Sequence, residues 1–178
     1  MRPPLKRLGS EVQMLAALLI SWIPALTVWL ALAIQELALP WQTWSFFRPD
    51  LVMIALFYWR LFRPDRCGFG VAFSAGLVLD LLSGGLPGLN ALTKIGTLLL
   101  VDAYGQRLRT VDFVLLPLVL IVLLLLESLI QWGLLGLLSV PTPHWPMILG
   151  KPAATALLTP LVAAMLIHIH RNWLEARD

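Results

Sequence analysis

Apolar residues run through this chain in long, nearly unbroken blocks, and short polar breaks between them hold most of the charge. Blocks of roughly 20 apolar residues match the ~30 Å hydrocarbon layer of a bilayer. The pattern predicts about six helical spans, near 12–39, 50–62, 67–82, 89–104, 113–138 and 147–169. The first is long enough to tilt, with Pro24 as a kink point. Arg2, Lys6 and Arg7 ahead of it imitate a signal peptide, but the apolar run exceeds the usual h-region of about 7–15 residues and predicts an uncleaved helix. The second span is short and ends in Phe57-Tyr58-Trp59-Arg60, a composition that predicts an interfacial anchor.

Two spans carry faces that read as packing surfaces. On the third, Gly68, Ala72, Gly76 and Asp80 recur every four residues, the small-residue spacing that lets helices approach closely. On the fourth, Asn90, Thr93, Lys94 and Thr97 form a polar stripe at helical spacing, which predicts a face turned into the bundle. The Leu/Val run of the fifth, from Val114 to Leu126, shows no such face and predicts contact with lipid or a partner helix. Glu127 and Gln131 interrupt that span one turn apart, and intramembrane polar groups of this kind call for internal partners.

Composition agrees with a membrane protein. Of 178 residues 59% are hydrophobic and 13% charged, with mean hydropathy +0.83, whereas soluble domains carry about 25% charged residues. The expected fold is all-α, one integral membrane domain over residues 1–178. A single cysteine, Cys67, excludes an intrachain disulfide framework. The net charge of +3 does not indicate nucleic acid, because the basic residues occupy the breaks between spans. With a cytoplasmic N-terminus, the inner segments hold Arg2, Lys6, Arg7, Arg60, Arg63, Arg66, Arg107, Arg109, Arg171 and Arg177. The outer ones hold Arg48 and Lys151. This asymmetry predicts a multi-pass protein with both termini in the cytoplasm.

The charges that remain gather toward the outer half. Glu36, Arg48, Asp50, Asp80, Lys94 and Lys151 all fall there, and Asp80 opens the stretch Asp80-Leu-Leu-Ser-Gly-Gly-Leu-Pro-Gly-Leu-Asn90. A carboxylate near hydrocarbon costs about 2.5–3.5 kcal/mol at a helix centre on insertion scales, so it needs a partner. Lys94, across the turn at 83–88, is the expected partner of Asp80. Catalytic signatures are absent: there is no P-loop, no His-Glu-x-x-His, no Cys-x-x-Cys and no Gly-x-Ser-x-Gly. Ser83 beside Asp80 has no base to activate it. His168 and His170 point in different directions on a helix and His144 stands alone, so no metal or cofactor is expected.

Two segments carry a family resemblance. Phe47-Arg-Pro-Asp-Leu-Val-Met-Ile-Ala-Leu-Phe-Tyr-Trp59 and Gly76-Leu-Val-Leu-Asp-Leu-Leu-Ser-Gly-Gly-Leu-Pro-Gly-Leu-Asn-Ala-Leu92 resemble the MreD family of bacterial rod shape-determining membrane proteins. The specific motifs lie within 47–92, and the remainder matches in topology. The resemblance implies an inner-membrane component of the elongation machinery (the elongasome) and not an enzyme. Its implied partners are a single-span MreC-type protein and, directly or indirectly, the MreB filament and RodA with its class B transpeptidase; membrane lipid is a further expected partner, and a homodimer is an open alternative that the sequence does not decide. It also implies similarity to the substrate-binding subunits of energy-coupling-factor transporters, a six-helix fold with an outward pocket.

Two functions follow from these readings. One is a scaffold in which Arg48, Asp50, Asp80, Ser83, Asn90 and Lys94 bind a partner, Gly68, Ala72 and Gly76 pack helices, and Glu127 and Gln131 sit inside. The other is a binding or transport protein whose pocket takes a lipid-linked precursor or small solute. A pyrophosphate ligand would require convergent cations, for which Arg48, Lys94 and Lys151 are the outward candidates.

Overall fold

Every element among the described residues of the computed structural model is helical; these residues are 21–37, 48–110, 115–139 and 145–174. In chain order they are α1 (Ile23–Leu37), α2 (Leu51–Phe62), α3 (Phe69–Ser83), α4 (Leu89–Leu108), α5 (Leu116–Leu137) and α6 (Trp145–Ile169), with a π-helical turn at His170–Leu174. The apolar blocks therefore mark the helices closely. Residues 12–20 of the expected first span lie outside the described residues, and Pro24 falls in the first turn of α1, where a missing N–H is tolerated. The helices Leu116–Leu137 and Ile148–Asn172 are long and apolar enough to cross a membrane, while α1, α2 and α3 are apolar but shorter.

The short, aromatic α2 is central, which corrects the expectation of an interfacial anchor. Val52 through Trp59 and Leu61 are all buried, because the helix is apolar on every side. It packs against α1, α4 and α6. Trp59 is fully enclosed and its indole Nε1 donates to Thr27 Oγ1 on α1 at 2.7 Å, so the one polar atom of the ring is satisfied inside the core. Two apolar clusters flank α2. Val28, Leu32, Ala72, Ala75, Leu79 and Leu98 lie in one, and Val101, Leu116, Leu120 and Leu124 in the other.

Helices α3 and α4 form a hairpin. Gly84, at φ 65°, ends α3 with its N–H on Asp80 O, and Gly88, at φ 94°, leads into α4; both conformations favour glycine. The close approach is made at Gly76, where a Cβ would sit 2.5 Å from Ala91 Cα and 2.7 Å from Ala91 N. Ala72 is buried on the same face. Gly68 does not belong to this seam: it is exposed at the N-cap of α3, where a Cβ would reach nothing nearer than Gly70 N at 4.0 Å. The small-residue face is thus an intrachain contact from residue 72 onward.

Helix α5 is one-sided, which corrects the expectation of a featureless run. Leu116, Leu120, Leu124, Glu127 and Ser128 are buried. Leu118, Val122, Leu126 and Leu129 on the other side are exposed. A run made almost wholly of Leu, Val and Ile hides this asymmetry, since its two sides differ in burial and not in residue type. Helix α6 contains Pro152 and Pro160, and Thr155 and Thr159 return hydrogen bonds to the carbonyls of Lys151 and Thr155 at 2.7 and 2.8 Å.

Candidate functional site

Lys94 is entirely buried on α4, one turn inside its N-terminus. Its ammonium donates to Asp50 Oδ2 at 2.7 Å and to Glu127 Oε1 at 3.3 Å. Both carboxylates are only 1% exposed. Lys151 on α6 reaches the same Asp50 oxygen at 2.9 Å from a side chain that is 28% exposed. Two cations and two anions thus alternate through the interior, and together they join α2, α4, α5 and α6.

Asp50 serves three roles at once. It is the N-cap of α2, with Oδ1 accepting from Met53 N at 2.8 Å. Its Oδ2 takes both ammonium groups, and its own backbone N–H donates to Thr155 Oγ1 at 2.8 Å. The Arg-Pro-Asp opening places an acid where a helix start needs an acceptor, and folding brings two lysines to the same acid.

Polar contacts continue from Glu127 along α4 and α5. Thr93 Oγ1 lies 3.3 Å from Glu127 Oε1. Gln131 Nε2 donates to Asn90 Oδ1 and to Thr93 Oγ1, each at 3.0 Å. The stripe of Asn90, Thr93, Lys94 and Thr97 faces inward as its spacing predicts, with Thr93, Lys94 and Thr97 buried and Asn90 half-buried. Glu127 and Gln131 find the internal partners their position calls for.

The expected Asp80–Lys94 pair does not form. Asp80 Oδ2 accepts from Gly88 N at 2.9 Å, and Oδ1 accepts from Asn90 N at 3.0 Å and Asn90 Nδ2 at 2.9 Å. Helix α4 has a glycine at its own N-cap and no side-chain cap there, so a carboxylate from α3 supplies it. Free N–H groups and the positive end of the helix dipole compensate an anion well enough that no lysine is needed. Lys94 is then left to Asp50, 44 residues away in sequence.

The other site candidates are also engaged internally. Ser83 Oγ donates to Leu79 O at 2.7 Å, within its own helix. Arg48 pairs with Glu36 at 2.8 Å and donates to Gln35 O at 2.7 Å. Sequence reasoning missed Gln35, whose Oε1 accepts from Val52 N at 3.2 Å, and Thr155, which with Thr159 interrupts an otherwise apolar stretch of α6 without forming a recognisable motif.

A second polar region lies at the opposite end of α2. Arg60 pairs with Asp102, donates to Cys67 O at 2.9 Å and lies 4.3 Å from the centroid of the Phe69 ring. His170 Nδ1 is 3.1 Å from Tyr58 Oη, and Arg63 Nε donates to His170 Nε2 at 3.3 Å. Arg109 Nε donates to Leu61 O at 2.7 Å. Cys67, between α2 and α3, is buried, and desolvation pushes its thiol up to about 11.

Apolar helices, two of them long and apolar enough to cross a membrane, are cross-tied here by buried ion pairs into a helical bundle. Residues 16–169 match the family model described as rod shape-determining protein MreD, and the chain belongs to that family. It is 27% identical over 159 residues to the rod shape-determining protein MreD of Haemophilus influenzae, covering 86% of this chain and 94% of that one. No solved structure matches the chain.

Proposed function

We propose that this protein is a non-catalytic scaffold of the rod-shape machinery, supporting lateral peptidoglycan synthesis by holding other elongasome proteins in place. In this reading it is a multi-pass protein of the bacterial inner membrane with both termini in the cytoplasm. Its partners are an MreC-type single-span protein and, directly or through it, RodA with its class B transpeptidase and the MreB filament.

The observation that carries the reading is that the polar groups of the centre are spent on one another. Asp50, Lys94 and Asp80 bind other helices of the same chain. Such an arrangement fixes helix positions and leaves the exposed Leu118, Val122 and Leu126 side of α5 as an apolar rail for another transmembrane segment. Van der Waals packing rather than the hydrophobic effect drives helix association in lipid.

The second reading, a pocket for a lipid-linked precursor in a fold like that of the energy-coupling-factor subunits, needs free convergent cations. Arg48 is held by Glu36, Lys94 is buried and Lys151 is held by Asp50, which disfavours it.

Site-specific photocrosslinking from Val122 in cells tests the scaffold. It should capture a single-span membrane partner, and a variant with Val122→Arg should lose both the adduct and rod shape while still inserting. Capture of lipid alone, with rod shape kept in the arginine variant, would overturn the reading.

A further inference from the structure

We propose that the Phe62 end of α2 holds a phospholipid of net negative charge, its acyl chain in a groove between α2, α5 and α6 and its phosphate on Arg109. This site rests on the membrane placement proposed above and not on the scaffold role. Ile54, Phe57 and Phe62 line the groove along α2, Pro117 lines it on α5, and Pro160 and Ala163 line it on α6. From Ile54 to Phe62 is about 12 Å of helix, so the groove follows α2 lengthwise. Its empty space, counted out to the open mouth, is about 350 Å³. Pro117, Pro160 and Ala163 carry short side chains, which leaves this space unfilled between three helices.

The lining suits hydrocarbon and not a polar solute. Its two hydroxyls have partners already: Thr159 Oγ1 donates to Thr155 O at 2.8 Å, and Tyr58 Oη lies 3.1 Å from His170 Nδ1. A sugar or peptide in the groove would leave its own polar groups unmatched, at a cost that a lipid tail does not meet.

Positive charge gathers at one end of the groove. Arg109 Nε donates to the carbonyl of Leu61, the residue before Phe62, at 2.7 Å. Leu108, one residue before Arg109, packs against the apolar cluster that contains Ile54 and Phe57. Beside Tyr58, Arg63 Nε donates to His170 Nε2 at 3.3 Å, which brings a second guanidinium to the same end. Two carboxylates of that end, Asp102 and Asp65, pair with Arg60 and Arg66. Arg109 is exposed, and among the described residues it pairs with no carboxylate. A guanidinium offers a phosphate two parallel N–H donors, and basic sites between helices on the cytoplasmic side attract anionic headgroups. Groove and cation meet at Leu61 and Phe62, so one molecule with a tail and a phosphate satisfies both.

Photolabelling of the purified full-length protein in phosphatidylcholine vesicles tests this. Phosphatidylglycerol and phosphatidylcholine probes with the same diazirine-bearing acyl chain are compared, and their adducts are mapped by mass spectrometry. The phosphatidylglycerol probe should label groove residues about fivefold more, the worth of one arginine near an anionic headgroup. Arg109→Gln should erase that preference, and Ala163→Leu, which fills the groove, should remove labelling by both probes. Equal labelling by the two probes, or a preference kept in Arg109→Gln, overturns the proposal. If Ala163→Leu does not fold, the Arg109→Gln comparison decides alone. A photoreactive residue in place of Phe62 that captures a protein instead of lipid in cells assigns the groove to a partner helix and also overturns it. Alkaline carbonate extraction separates the two ways of failing. Protein released from the vesicles refutes the membrane placement, whereas embedded protein with no probe preference refutes the lipid site alone.

Discussion

The ammonium of Lys94 and the carboxylate of Asp50 meet at 2.7 Å with both side chains sealed from the surface. One residue lies on α4 and the other caps α2, so a single contact sets the position of the central helix against its neighbour. Replacing a buried pair by apolar residues is often neutral, whereas stripping one partner costs about 3–5 kcal/mol because the other charge is left alone.

Lys151 offers a graded comparison. It reaches the same oxygen as Lys94, but its side chain is 28% exposed and solvent shares the screening. Lys151→Met should cost about 1 kcal/mol or less, in the range of partly exposed ion pairs. Thermal unfolding in detergent should rank Lys94→Met well below it in stability, and equal losses would contradict the ranking.

Gly76 should tolerate no enlargement. Its Cβ position falls on the backbone of Ala91, which cannot move aside as a side chain would. Gly76→Leu should destabilise by at least about 1–3 kcal/mol, the usual cost of overpacking. Gly70, with nothing within 4 Å, is the control; Gly70→Ala should be neutral or gain up to about 1 kcal/mol of helix propensity.

Asp80→Ala removes the cap of α4 as well as the charge facing its N-terminus. Loss of about 1–2 kcal/mol is expected, together with loss of rod shape or partner co-purification at normal membrane insertion. Asp80→Asn, which keeps an acceptor, should fall between the two. Complementation of a strain lacking the protein, scored by cell shape, checks the order.

Cys67 should be inert in the folded protein. Burial holds its thiol near 11, so the thiolate stays scarce until the pH approaches that value. Maleimide at neutral pH should leave the folded chain unlabelled and modify it after denaturation; rapid labelling of the folded chain would contradict the burial.

Much of this architecture is legible in the residues themselves. The apolar blocks mark the helices, and the spacing of Asn90, Thr93, Lys94 and Thr97 identifies the inner face of α4 because polar side chains at helical intervals in an apolar setting must turn inward. Gly76 could be read as a contact from the four-residue spacing it shares with Ala72. Partner choice could not. Asp80 and Lys94 are close in sequence and opposite in charge, yet backbone amides satisfy Asp80 and a distant acid takes the lysine. Nor does composition distinguish an aromatic interfacial segment from a central helix: Phe57, Tyr58 and Trp59 are consistent with either, and only packing against α1 and α6 decides between them.

The most direct test is a double-mutant cycle on Asp50→Asn and Lys94→Met, read by reversible unfolding of the full chain in detergent. Direct coupling predicts that the double variant is scarcely less stable than the worse single one, with an interaction term toward the upper end of the usual ~0.5–3 kcal/mol range. Losses that simply add would show that the two residues act separately and that the buried ionic centre does not hold the bundle together.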